Sequence, residues 1–145
     1  MWRFAWFQKF SIPLICVRSF AKSSEWLILT KYVTDKNNWG RKDYWATPAE
    51  FMKNFGDCED YAIIKYLSLK QLGFKEEELR VVAVKDLNLK VGHAVLIVFW
   101  KDNKSGTKRS LLLDNQIKKV VDSRKVRHYK PVFSINKKNW WRHRS

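Results

Sequence analysis

Cysteine, methionine, proline and glycine are all scarce in this 145-residue chain, at two, two, three and five residues. Two cysteines exclude a disulfide-dense mini-scaffold, and without a C-x-x-C pair no structural zinc site is expected. No Gly/Ser- or Pro-rich stretch and no internal repeat marks a domain boundary. No apolar run reaches about 18 residues, so no transmembrane helix is expected. What is present fits one globular domain: hydrophobic residues make up 46% and charged residues 30%, which argues against disorder and coiled coil. A chain of this length buries enough surface to fold without a metal or disulfide framework.

Negative charge is also in short supply, with 14 acidic against 29 basic side chains and a net charge of +15. The excess is uneven. Residues 1–31 hold 5 basic and 1 acidic side chain, residues 32–116 hold 14 and 12, and residues 117–145 hold 10 and 1. The centre is nearly balanced, so no specific nucleic-acid partner is expected. Residues 137–145 read as a basic tail, with Lys137, Lys138, Arg142 and Arg144 around Trp140 and Trp141. Such a tail can contact anionic surfaces, or serve as a solvated end with its tryptophans packed back. Residues 1–21 read as a signal peptide or a truncated N-terminal segment. Phe10–Val17 is a short apolar run, and Ser19-Phe20-Ala21 has the small-x-small form of a cleavage site. Cleavage would remove Cys16. The domain proper is then expected over residues 22–136.

Glu25–Val33 reads as a short helix or extended segment, followed by a polar loop over Thr34–Asp43. Asp35, Asn37 and Gly40 give that loop a superficial calcium-loop look, but Trp39 and Ala46 fall where ligands belong, which excludes an EF-hand. Thr47-Pro48-Ala49-Glu50 is a helix start with a capping box. A longer helix is predicted from about Asp57 to Leu72, stopped by Gly73. Its apolar stripe runs through Cys58, Ala62, Tyr66 and Leu69, with Lys65 and Lys70 placed off that face. Leu79–Val84, His93–Trp100 and Arg109–Asp114 then read as strands. Lys101–Gly106 is the expected hairpin loop, with Trp100 facing Thr107. Helices followed by a strand meander make an α+β fold.

Cys58 falls in the first turn of the longer helix, where free N–H groups and the helix dipole stabilise a thiolate. His93 begins the second strand and Asp114 ends the third. The expected register puts the two directly opposite each other, about 5 Å apart at Cβ. A carboxylate there orients the imidazole and leaves its other nitrogen for the thiol. Taken singly, the three also fit an inert core thiol, a strand-end histidine and turn chemistry. Asp57, Glu59 and Asp60 crowd three carboxylates around Cys58. Anions raise a thiol's pKa and blunt it as a nucleophile. Asp57 and Asp60 lie about 60° apart around the helix, close enough to share one cation, and hard oxygen ligands suit Ca²⁺.

The strings Asp43-Tyr44-Trp45-Ala46-Thr47-Pro48-Ala49-Glu50-Phe51 and Gly56-Asp57-Cys58-Glu59-Asp60-Tyr61-Ala62 resemble the bacterial transglutaminase-like cysteine protease family, in its LapG-type adhesin-protease group. Leu72-Gly73-Phe74, Gly92-His93-Ala94-Val95-Leu96, Leu113-Asp114-Asn115 and Tyr129-Lys130-Pro131 extend the likeness over roughly Tyr32–Trp141. The resemblance implies a papain-like, transglutaminase-like fold with a Cys58-His93-Asp114 triad. It implies a calcium site on Asp57 and Glu59, with Asp60 as a third ligand. It further implies a periplasmic enzyme whose protein substrate is a large surface adhesin, held by a membrane receptor responsive to cyclic-di-GMP. Acyl transfer to amines, and a non-catalytic calcium- or polyanion-binding module with a vestigial triad, stay open beside proteolysis.

Overall fold

Helix-forming sequence precedes strand-forming sequence throughout residues 31–101 and 105–144, which the computed structural model describes. The readings of residues 1–21, of Cys16 and of most of Glu25–Val33 lie outside those residues. The polar stretch expected as a loop contains a short helix, α1 (Asp35–Trp39), which begins after Thr34 and ends on Gly40 at φ 65°. Glycine is needed there because the left-handed turn closes the helix. Helix α2 (Pro48–Asn54) starts as predicted, with Thr47 and Glu50 completing a capping box. Helix α3 (Cys58–Gln71) follows within a residue of its expected ends, with Asp57 as N-cap and Leu72 as C-cap.

A six-stranded antiparallel sheet follows, in the order β4-β3-β2-β1-β5-β6. Its strands are β1 (Leu79–Asp86), β2 (Val91–Lys101), β3 (Lys108–Leu113), β4 (Val121–Asp122), β5 (Tyr129–Ile135) and β6 (Trp140–Arg142). Few helices packed on such a sheet give the expected α+β, transglutaminase-like architecture. One face of the sheet presents Leu79, Val81, Leu96, Val98, Leu111 and Leu113 to Ala62, Tyr66 and Leu69 of α3. The other face carries Val82, Val84, Val95, Ile97, Leu112 and Tyr129. Because β2 is central and lined on both faces, it reads as a nearly unbroken apolar run rather than an alternation.

Three expectations change. Trp100 faces Arg109, not Thr107, and the ladder ends at the Lys101–Lys108 pair. The connection keeps its expected six residues but moves one place along the chain, to 102–107, and Gly106 adopts φ 66° within it. A displacement by two residues preserves the face of every side chain. Lys65, placed off the buried face of α3, is buried at 2% exposure. It sits one helical turn from both Ala62 and Leu69, inside the stripe. Finally, the basic stretch after residue 136 contributes β6, which pairs with β5. Trp141 lies under the Arg80 guanidinium at 3.9 Å, whereas Trp140 stays exposed.

Candidate active site

The chain reaches Cys58 through a tight junction. Phe55 ends α2 at φ 62°, and Gly56 pairs with Tyr32 on a neighbouring segment. A Cβ at Gly56 would collide with the Asp60 carboxylate, so only glycine lets that carboxylate fold back over this junction. Asp60 Oδ1 accepts the Ala46 N–H at 2.7 Å, and Oδ2 accepts the Asp57 N–H at 3.3 Å. The helix start is thereby stitched to the segment before α2.

Cys58 occupies the first position of α3, as predicted, and is half-buried. Its thiol donates to Glu59 Oε2 at 3.1 Å and meets the Ala94 backbone N–H, next to His93. Burial, then the Glu59 and Asp57 carboxylates, push the thiol's pKa up, while the Ala94 N–H opposes them. The conflict anticipated from the flanking acids is real: without a counter-charge this thiol is held protonated.

His93 and Asp114 are both buried and joined by a 2.8 Å hydrogen bond between Nε2 and Oδ1. With the two-residue displacement they are diagonal neighbours on one sheet face, and the imidazole spans the extra distance. Asp114 Oδ2 accepts the Tyr129 hydroxyl at 2.7 Å, and Oδ1 also accepts the Gln116 N–H at 3.1 Å. Burial raises the Asp114 pKa, but the His93, Tyr129 and Gln116 bonds outweigh it and hold the carboxyl below its usual range. An ionised carboxylate only accepts, so His93 Nε2 carries the proton of this bond and Nδ1 is left to act on a thiol. The His93 ring packs on Tyr129, with centroids 5.4 Å apart. The thiol's contact with the Ala94 N–H, one residue from His93, ties it to the same locality.

The acids form a second cluster around the start of α3. Asp35, Asp57 and Asp60 bring ligand oxygens within 4.8 Å of one another, as do Asp57 and Glu59 with the Cys58 sulfur. In the sequence Asp35 stands out only as part of a loop whose spacing excludes an EF-hand. Helix α1 turns it inward to 2% exposure, where it accepts the Tyr44 N–H. One oxygen of Asp35 and one of Asp57 are buried without a hydrogen-bond partner. Burial, reinforced by neighbouring acids, pushes Asp57 up to about 8; burial likewise takes Asp60 up to about 6 against the Ala46 and Asp57 N–H groups. Unpartnered, mutually repelling oxygens converging on one point fit a hard divalent cation.

Sequence reasoning also missed Lys65 and Tyr129. Lys65 Nζ donates to the Asp114 carbonyl oxygen at 2.7 Å. The signal was there for Lys65, a lysine at i+3 from Ala62 and i−4 from Leu69. For Tyr129 the sequence carries no signal beyond its place in the Tyr129-Lys130-Pro131 string.

The chain as a whole is similar to known proteins. The profile of the bacterial transglutaminase-like cysteine proteinases (BTLCP) matches residues 26–143. No curated protein sequence matches the chain. Among solved structures, Legionella pneumophila LapG superposes with a TM-score of 0.70 at 32% identity, covering 84% of this chain and 66% of that one. Its calcium-bound form gives 0.72 at 31% identity over 90% of this chain and 72% of that one. Its EGTA-treated form gives 0.74 at 30% identity over 90% and 68%. This chain thus spans about two-thirds of the length of those relatives.

Proposed function

From the premise that this chain belongs to the bacterial transglutaminase-like cysteine proteinases, we propose that it is a calcium-dependent thiol endopeptidase acting through Cys58, His93 and Asp114. The observation that carries this reading is the buried 2.8 Å His93–Asp114 pair, with the thiol of a helix-N-terminal cysteine meeting the N–H of Ala94, the residue after His93. His93 Nδ1 takes the Cys58 proton, and Sγ attacks the scissile carbonyl. The Cys58 backbone N–H, free at the helix start, donates to the oxyanion. His93 then returns the proton to the leaving amine, and water admitted in its place releases the acyl group under the same base. Asp114 stays ionised throughout and fixes the imidazole's tautomer.

Asp35, Asp57, Asp60 and Glu59 are the groups that would hold Ca²⁺. The bound ion supplies positive charge that keeps these acids ionised and relieves their pressure on the thiol. Following the family likeness, we assign the enzyme to the periplasm, a large surface adhesin as its protein substrate, and a cyclic-di-GMP-responsive membrane receptor as its regulator. The test is cleavage of an adhesin fragment by the calcium-loaded protein and by Cys58→Ala. The wild type cuts and the variant does not; a cutting variant overturns the mechanism. A labelled amine included in the reaction separates hydrolysis from acyl transfer, since only transfer incorporates the label.

A further inference from the structure

Asp114 stands one residue beyond the end of β3, where the ladder to β2 has already stopped at Leu113. Sheet pairing therefore does not fix its backbone. Two groups from other elements hold the residue instead, one at its main chain and one at its carboxylate. Lys65, from α3, donates Nζ to the Asp114 carbonyl oxygen at 2.7 Å, and Tyr129, the first residue of β5, donates its hydroxyl to Oδ2 at 2.7 Å. Both side chains are buried, at 2% and 8% exposure. Packing alone does not account for Lys65, because an ammonium carries a desolvation cost that a methionine of similar length would avoid. Lys65 lies seven residues after Cys58, about 10 Å or two turns along the same helix. One rigid rod thus carries both the thiol and the brace that reaches Asp114.

We propose that Lys65 and Tyr129 are positioning residues for the reaction assigned above. Lys65 locks the main chain of Asp114 to the helix bearing Cys58. Tyr129 occupies Oδ2, so that Oδ1 is left facing His93 Nε2 and the imidazole keeps Nδ1 free for the thiol. Neither touches the reacting atoms; each acts through Asp114. The inference rests on the protease reading for its purpose, while the geometry it describes can be measured without a substrate.

The experiment is nitrogen-15 NMR of His93 in the full chain at mildly alkaline pH, for wild type, Lys65→Met and Tyr129→Phe. Alkylation of Cys58 by iodoacetamide and the melting temperature are followed in parallel, with calcium present throughout. Wild type shows a single Nε2–H tautomer with a slowly exchanging Nε2 proton. In each variant the tautomers mix, the proton exchanges about tenfold faster and alkylation slows several-fold, with Tyr129→Phe melting close to wild type. Folded variants with an unchanged His93 signature overturn the proposal. Should Lys65→Met not fold, Tyr129→Phe decides alone, since it removes a single hydroxyl and leaves the ring to pack as before. Cys58→Ala serves as the control. It retains the wild-type His93 signature, so cleavage surviving in that variant counts against the protease reading and leaves the positioning role standing.

Discussion

Lys65 sits in surroundings that penalise its charge, and this makes it measurable. Burial lowers its pKa from 10.5 to about 8, against the opposing pull of the Asp114 carboxylate. The unfolded chain therefore holds this proton more tightly than the native state between those two pH values. Stability referable to Lys65 is lowest below about pH 8 and rises as pH climbs toward 10.5. The gain amounts to at most about 3 kcal/mol. Urea unfolding of wild type and Lys65→Met at pH 7 and pH 10 isolates it from other titrating groups: the difference between the two proteins should shift in favour of wild type at the higher pH. A constant difference would mean that the ammonium is well solvated where it lies. Gly56 offers a second test. A Cβ there collides with the Asp60 carboxylate, so Gly56→Ala should cost about 1–3 kcal/mol in urea unfolding. The chemically distinctive residues, Cys58, His93 and Asp114, were legible from residue type and place in their elements. Lys65 was not, because a lysine's charge was weighed above its angular position on the helix.

At the scale of elements, starts and stops were easier to read than partners. The Thr47–Glu50 box and the acidic cap at Asp57 satisfy local donors that any helix start leaves free. Local chemistry of this kind is written within four residues. Thr47→Ala should accordingly cost about 1 kcal/mol in urea unfolding, and leave the alkylation rate of Cys58 unchanged, because α3 keeps its own cap. Slower alkylation would show that α2 holds the nucleophile in place. Register was harder to read. Leu111, Leu112 and Leu113 are apolar on both sheet faces, so a slip of two residues leaves the pattern unaltered and only the turn decides it. The β6 strand was hidden for a related reason: three residues, one of them an exposed tryptophan, resemble a basic tail until β5 supplies their hydrogen bonds.

At the scale of the whole molecule, the charge distribution has a consequence for assembly. The chain is strongly basic, yet four acids gather where α1 meets the start of α3, with buried Asp35 and Asp60 converging on half-buried Asp57 and Glu59 beside them. Sequence reasoning found the carboxylates adjacent to Cys58 but not Asp35, whose approach depends on a short helix folding across more than twenty residues of chain. Without a cation, like charges at this junction oppose docking of α1 onto α3. With one, the same oxygens become ligands that tie the two together. Calcium should then stabilise the fold by mass action, raising the melting temperature with ion concentration, while EGTA lowers it. Asp35→Asn keeps the shape but removes a charge far from the thiol in sequence. It should weaken calcium binding in calorimetric titration and abolish most of the calcium-dependent rise in melting temperature. If that variant responds to calcium as wild type does, the ion is held by Asp57 and Glu59 without Asp35, and α1 docks for reasons of packing alone.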